Sequence, residues 1–92
     1  MKDHHCLKLH AEYFDDIKEK RKTFETRFND RNYKVGDVVT LKEGVHTLNG
    51  YKYSGREVSA EIGYISNFGV NEGYVTFSLI KVGMLIIGDT NE

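Results

Sequence analysis

The order of the hydrophobic periodicities along the chain constrains its fold more than any other feature of the sequence. Residues 6–9 alternate apolar and polar side chains, which is the period of a half-buried strand. Residues 11–20 instead place Tyr13, Phe14 and Ile17 at helical spacing. Every later periodic stretch returns to the strand period, unlike the alternation of a doubly wound fold. This order predicts a β-rich domain, α+β by content, with one α-helix between strands 1 and 2.

Further strands are predicted after that helix. They cover residues 22–27, 38–42, 58–65 and 74–82. Asn49-Gly50 is typical of a tight hairpin turn, and we expect residues 43–55 to be the longest irregular stretch. One helix with this set of strands fits a small barrel whose end the helix covers.

The length of 92 residues predicts one domain over residues 1–92, without room for a second core. Residues 83–92 are predicted to be an extra strand or a flexible tail. Within them Met84, Leu85, Ile86 and Ile87 form a strongly apolar run. Such a run is also compatible with a partner-facing strand or a segment prone to aggregation.

Cysteine content and hydropathy bear on the compartment. Cys6 is the single cysteine, which excludes an internal disulfide. The N-terminus has no apolar signal region, and no apolar run reaches the roughly 20 residues of a membrane helix. We therefore expect a cytoplasmic protein that has no membrane partner.

Positive charge is concentrated in residues 18–34. That segment holds seven basic and three acidic residues, a net charge of +4, whereas the whole chain carries −1. The overall charge argues against strong non-specific binding of nucleic acid. The local excess can still focus a positive field, although a solvated helix end and loop is the alternative interpretation.

Lys22, Glu25 and Arg27 are the candidate site within this segment. On a strand, Glu25 and Arg27 point the same way, about 7 Å apart along the chain. Glutamate offers two acceptor oxygens, and arginine a donor fork suited to phosphate or a base edge. Lys22 lies at the helix-to-strand junction. The alternative is a surface Glu–Arg pair that contributes little to stability.

These three residues match the lysine, glutamate and arginine of the ASCH-domain signature, and Lys20 occupies the glycine position of that signature. If this position needs a positive φ, lysine costs about 1 kcal/mol or more relative to glycine. Further matching pieces lie at residues 5–9, 12–15, 22–25, 29–31, 35–37, 53–56 and 73–75. The chain therefore resembles the ASCH/PUA-like superfamily, and within it one of the small bacterial and phage families.

The resemblance implies a small PUA/ASCH-like β-barrel with a basic cleft beside the first helix. RNA or a nucleotide-like ligand is the expected partner, bound by a monomer or a homodimer. The residues expected to contact it are Lys22, Glu25, Arg27, Arg31, Arg21 and Tyr53. Basic side chains would hold phosphates or base acceptors. Glu25 would accept from a base amino group or orient Arg27, and Tyr53 or Tyr33 would stack on a base.

Two other functions remain open. The first is a small hydrolase of the amidohydrolase or ribonuclease type, acting on modified nucleosides or RNA. Its catalytic residues would be Lys22 and Glu25, although the amidohydrolase type has threonine where Glu25 stands. The second is a protein-interaction module that dimerises through the apolar tail. Enzyme activity is therefore uncertain.

No metal or cofactor is predicted. His4, Cys6 and His10 lack a fourth ligand at a recognisable zinc spacing. Cys6 is expected to be buried or half-buried, and His5 either lines the cleft or packs under it. Arg56 is a candidate extension of the positive surface.

Overall fold

The chain forms five strands and one helix in a computed structural model that describes residues 2–85. The elements are β1 (His4–His10), α1 (Ala11–Lys18), β2 (Phe24–Phe28), β3 (Val38–Thr47), β4 (Gly50–Ser66) and β5 (Tyr74–Leu85). The predicted β-rich class, with one helix between the first two strands, is confirmed.

The strands form one mixed sheet in the order β1-β3-β4-β5-β2. β1 runs parallel to β3, and every other neighbouring pair is antiparallel. β1 and β2 are the edge strands, and within residues 2–85 no backbone pairing joins them. The described sheet is therefore not a closed barrel.

β1 has the predicted alternation of buried and exposed residues. His5, Leu7 and Leu9 face the core, whereas Cys6 and Lys8 are exposed. The expectation that Cys6 would be buried or half-buried is wrong, because the two-residue period places its thiol on the face of Lys8.

α1 covers the inner face of the sheet. The His10 side chain caps its first turn by accepting from the Glu12 N–H. Phe14 and Ile17 are completely buried, one turn apart, as the helical spacing predicts. In the part of the chain that the structure describes, no helix has the length and apolarity needed to cross a membrane.

The core lies between α1 and the sheet. Its completely buried side chains are Phe14, Ile17, Val39, Leu41, Val58, Ile62 and Phe77. Full burial of a large apolar side chain contributes roughly 1.5–3 kcal/mol. These residues come from α1, β3, β4 and β5, so the core holds the helix against the middle of the sheet.

The stretch at residues 43–55 is not irregular, and that expectation is wrong. β3 continues to Thr47, which pairs with Gly50 at the start of β4. The hairpin turn is therefore Leu48-Asn49, one residue before the predicted Asn49-Gly50. The paired residues 44–53 form a two-stranded extension, here called the ribbon. Its side chains are mostly exposed or half-buried beyond Val45, so it lacks the apolar alternation that predicts a strand.

Residues 83–85 continue β5, where Gly83 pairs with Ser59 and Leu85 with Glu57. The remainder of the predicted extra strand or tail, including Ile86 and Ile87, lies outside the described residues.

Candidate functional site

Glu25 gathers the two cations predicted to lie near it. Its Oε2 accepts from Lys22 Nζ and its Oε1 from Arg27 Nε, each at 2.9 Å. The Glu25 side chain is 7% exposed, and those of Lys22 and Arg27 are each 24% exposed. Glu25 and Arg27 are therefore not an isolated ion pair on the exposed surface, which was the alternative interpretation. Because both carboxylate oxygens are engaged, the geometry favours Glu25 as a group that orients Arg27.

Local geometry explains why Lys22 reaches this carboxylate. Lys20 has φ of 66°, so the chain reverses directly after α1. The Lys22 ammonium then lies 4.7 Å from the centroid of the Phe24 ring and 5.6 Å from that of Tyr13. It also donates to the Phe24 carbonyl at 2.8 Å. Lys22 is thus held by a carboxylate, a carbonyl and two aromatic faces.

Two arginines bridge the edge strands that the backbone leaves unpaired. Arg27 Nη2 donates to the Lys8 carbonyl at 2.7 Å, and Arg31 Nη1 donates to the Cys6 carbonyl at 3.0 Å. Both carbonyls belong to β1, whereas the guanidinium groups come from β2 and the loop after it. We call this contact the seam. The sheet must curl strongly for its two edges to come within reach of one side chain.

A groove of about 370 Å³ lies along the seam. Its lining residues are Cys6, Leu7, Lys8, Arg27, Arg31, Lys42 and Tyr53. Four of them are cations, and the described residues that line it include no carboxylate. We call it the basic groove. It brings together the predicted Arg27, Arg31 and Tyr53. Lys22 and Glu25 do not line it, although Glu25 accepts from Arg27.

Lys8 and Lys42 also line this groove, although the sequence did not predict them as site residues. They are register partners in the parallel β1–β3 pair. Lys8 Nζ lies 5.0 Å from the centroid of the Tyr51 ring, and Lys42 Nζ lies 5.1 Å from that of Tyr53. Lys42 also pairs with Glu57 at 3.7 Å. Among the described residues, Lys8 has no acidic partner within ion-pair distance.

Two of the predicted aromatic and basic contacts lie elsewhere. Arg21 does not line the basic groove, and its Nε instead donates to Asp16 Oδ1 at 2.9 Å. Tyr33 is only 6% exposed and packs between His5 and Phe77, each ring 4.9 Å away. Burial raises the pKa of Tyr33. It cannot stack on a base from that position, so only Tyr53, 47% exposed, keeps the predicted role open.

Arg56 does not extend the positive surface. It donates to both oxygens of buried Glu43, at 2.9 and 2.8 Å, and its guanidinium lies 4.5 Å from the centroid of the Phe14 ring. The hydrogen bonds from Arg56 hold the pKa of Glu43 below its ordinary value, against the opposing effect of burial. This pair fastens β3 and β4 to α1.

Asp37 is a third buried carboxylate with several hydrogen-bond partners. It accepts from the Asp3 N–H at 3.0 Å, from His5 Nε2 at 2.9 Å and from the Lys34 N–H at 3.0 Å. Burial alone would raise its pKa, but these hydrogen bonds outweigh it and hold the pKa of Asp37 at about 2. His5 therefore packs under the surface and does not line the basic groove.

The ligand atoms of Asp3, His5 and Asp37 lie within 4.8 Å of one another, a spacing that a metal site would also have. Hydrogen bonds within the protein already occupy both oxygens of Asp37, so the cluster acts as a clasp for the N-terminal segment. His4 and His10 are engaged separately, with Thr40 at 2.6 Å and with the N-terminus of α1.

Comparison with known proteins reveals relatives of this chain. It is 45% identical over 58 residues to "Uncharacterized 12.9 kDa protein in GpA 3'region" of Escherichia phage P2. The aligned part covers 63% of the chain and 50% of the phage protein, so the chain spans about half the length of that relative. Residues 4–79, which contain the complete basic groove, match the family described as "Domain of unknown function (DUF3850)". The chain belongs to the DUF3850 family.

Proposed function

We propose that this protein is a small RNA- or nucleotide-binding domain, and that the basic groove holds a phosphate of the ligand. One observation carries the proposal: four cations and an exposed tyrosine line one groove, without a carboxylate among them. A second cavity of about 370 Å³, beside the β4–β5 turn, has no basic lining residue in the described chain. It lacks the charge that phosphate recognition requires.

The donors in the basic groove are sufficient for such a ligand. Arginine has five N–H donors. Arg27 uses one for Glu25 and one for the Lys8 carbonyl, so three remain. Lys8 supplies a point charge, and the Glu25 carboxylate keeps the Arg27 fork in one orientation. Tyr53 offers an exposed ring in the lining of the groove, on which a base can stack.

The proposed fold type is PUA/ASCH-like, an incomplete barrel in which the seam takes the place of the missing backbone pairing. Two contacts from arginine side chains to β1 carbonyls support this type. The cytoplasmic location stays a prediction. The hydrolase also stays a prediction, and nothing in the position of Lys22 favours it, because Glu25 and the Phe24 carbonyl engage its ammonium.

Fluorescence anisotropy with a labelled single-stranded RNA of about 12 nucleotides tests the proposal, at salt concentrations between about 50 and 200 mM. We expect Lys8→Ala to weaken binding several-fold and to reduce the salt slope by about 1. Lys2→Ala is the matched control, since Lys2 is 63% exposed and lies outside the basic groove. Equal affinities of the Lys8→Ala and Lys2→Ala variants would refute the proposed site.

The variant Glu25→Gln distinguishes two effects of Glu25 on ligand binding: its positioning of Arg27 and its negative charge beside the basic groove. Removal of a carboxylate beside the basic groove should tighten phosphate binding if electrostatics alone acted. If Glu25 positions Arg27, the variant should instead bind more weakly. Asp30→Asn is the control, because Asp30 is 62% exposed and lies 4.0 Å from Arg31. We expect Asp30→Asn to bind slightly more tightly, and tighter binding by both variants would exclude the positioning role.

A further inference from the structure

An aromatic row leads out of the basic groove along the ribbon. Tyr53 lines the groove, and its ring centroid lies 5.0 Å from that of Tyr51. Tyr51 in turn lies 5.0 Å from His46, its register partner on β3. His46 is exposed and Tyr53 is 47% exposed. The three rings therefore lie in sequence on one face of the ribbon, and the two outer ones are exposed.

The middle ring of this row is fixed in place. The Tyr51 hydroxyl donates to the Leu9 carbonyl at 3.0 Å, and burial raises the pKa of Tyr51. The Tyr51 ring covers Gly44, where any Cβ would collide with the ring carbons. Tyr51 thus connects β1 with the ribbon and holds the exposed rings on either side of it.

Cations accompany the rings. Lys8 lies over Tyr51 at 5.0 Å, and Lys42 lies over Tyr53 at 5.1 Å. Long lysine side chains at exposed positions can turn from a ring to a nearby phosphate. A basic track beside a series of aromatic platforms is the arrangement that binds single strands with little sequence preference.

We infer that the basic groove and the aromatic row together bind several successive nucleotides of a single-stranded nucleic acid. This inference rests on the proposed function. A free nucleotide has one base and would use only one ring. A duplex turns its base faces inward onto one another and leaves none for the row. A strand whose phosphates follow Arg27, Arg31 and the lysines can place bases on Tyr53 and His46.

The test compares uridine monophosphate, single strands of about 12 nucleotides in ribose and deoxyribose form, and the corresponding duplexes. We expect the ribo strand, the deoxy strand or both to bind at least about tenfold more tightly than the monophosphate and the duplexes. Tyr53→Leu and His46→Leu should each weaken strand binding by about fivefold to a hundredfold. The Tyr53→Phe variant should bind like the wild type, because it keeps the ring.

Tyr64→Leu is the matched control, since Tyr64 is 69% exposed on the same strand β4 but outside the row. Circular dichroism of each variant checks that it is folded. The inference is refuted, but the proposed function is not, if the monophosphate binds as tightly as the strand. The same holds if neither Tyr53→Leu nor His46→Leu weakens binding of the strand. Binding that is also insensitive to Lys8→Ala refutes the proposed function itself.

Discussion

Lys20 turns the chain from the helix to the site. It follows α1 with φ of 66°, in the left-handed region, and the amides of Arg21 and Lys22 both donate back to the Asp16 carbonyl, at 2.8 and 3.0 Å. This hydrogen bonding ends the helix and directs Lys22 toward Glu25. A side chain at such a position costs about 1 kcal/mol or more, because its Cβ crowds the following carbonyl.

Lys20→Gly should therefore stabilise the protein by about 0.5–1 kcal/mol, measured as the free energy of unfolding in urea. Lys18→Gly is the control, because Lys18 is in the last turn of α1, where glycine should destabilise by a similar amount. If both variants lost stability, the left-handed conformation of Lys20 would be wrong.

At this scale the sequence predicts contacts between near neighbours well. Lys22, Glu25 and Arg27 come together because strand and helix-end geometry act over a few residues. Lys8 and Lys42 are 34 positions apart and meet only through the parallel register of β1 with β3. No local pattern specifies which strands become neighbours, so two of the four cations in the basic groove were not predictable.

The ribbon is the element on which the aromatic row depends. β3 bends where its register with β4 shifts between Lys42 and Gly44. Because Gly44 has no Cβ, the Tyr51 ring can lie directly against its backbone. A Cβ there would collide with the ring and would also come within 2.6 Å of the Lys52 carbonyl oxygen. The lack of a side chain at Gly44 thus allows Tyr51 of β4 to contact both β3 and β1.

Gly44→Ala should cost about 1–3 kcal/mol of unfolding free energy, because the new methyl group displaces Tyr51 or the strand. Gly83→Ala is the matched control in β5, where an added Cβ has open space. We expect the control to change stability by less than about 0.5 kcal/mol. Tyrosine fluorescence should change only in the Gly44→Ala variant, and equal stability of the two variants would contradict the close contact.

Prediction from the sequence was good for elements with a buried face and poor for the ribbon. β1 and the second half of β4 alternate in burial, and their apolar residues predicted them. Ribbon residues such as His46 and Lys52 are exposed on both strands, so there is no hydrophobic period to detect. The Asn49-Gly50 pair was the local signal for the ribbon. It predicted a hairpin here, but the turn lies one residue earlier, because Thr47 pairs with Gly50.

Across the whole molecule, Asp37 connects segments that are distant in the sequence. Its carboxylate holds Asp3, His5 and Lys34, and its carbonyl accepts from the Ile62 N–H at 2.8 Å. The segment before β1, β1 itself, the loop before β3 and the strand β4 therefore meet at one residue. No composition or spacing rule identifies such a node, because aspartate after glycine also occurs in ordinary turns.

The free energy of unfolding should fall in acid, because the hydrogen bonds of Asp37 depend on its ionised carboxylate. The pKa of Asp37 is lowered from 3.8 to about 2 in the folded protein, so its contribution is complete above its unfolded pKa and is lost as pH falls through its folded pKa. The loss should be on the order of 2 kcal/mol between about pH 5 and pH 2, and the lowered pKa of Glu43 adds to it in the same direction.

Urea unfolding at a series of pH values measures this dependence. Asp37→Asn should be less stable than the wild type at neutral pH, and the difference should shrink as the pH approaches 2, because asparagine does not titrate. Glu72→Gln, in the exposed β4–β5 turn, should reproduce the wild-type curve. An unchanged acid slope in the Asp37→Asn variant would rule out Asp37 as its source.

The seam also affects how the molecule meets its own copies. Unpaired strand edges promote aggregation, since their free amides and carbonyls can pair with a strand of another molecule. Here β1 and β2 face each other, and guanidinium groups occupy two of the edge carbonyls. Modification of both arginines, for instance with a dicarbonyl reagent, should free these two carbonyls of the β1 edge. We expect the modified protein to aggregate more readily, so the side chains suited to hold a ligand would also protect this strand edge.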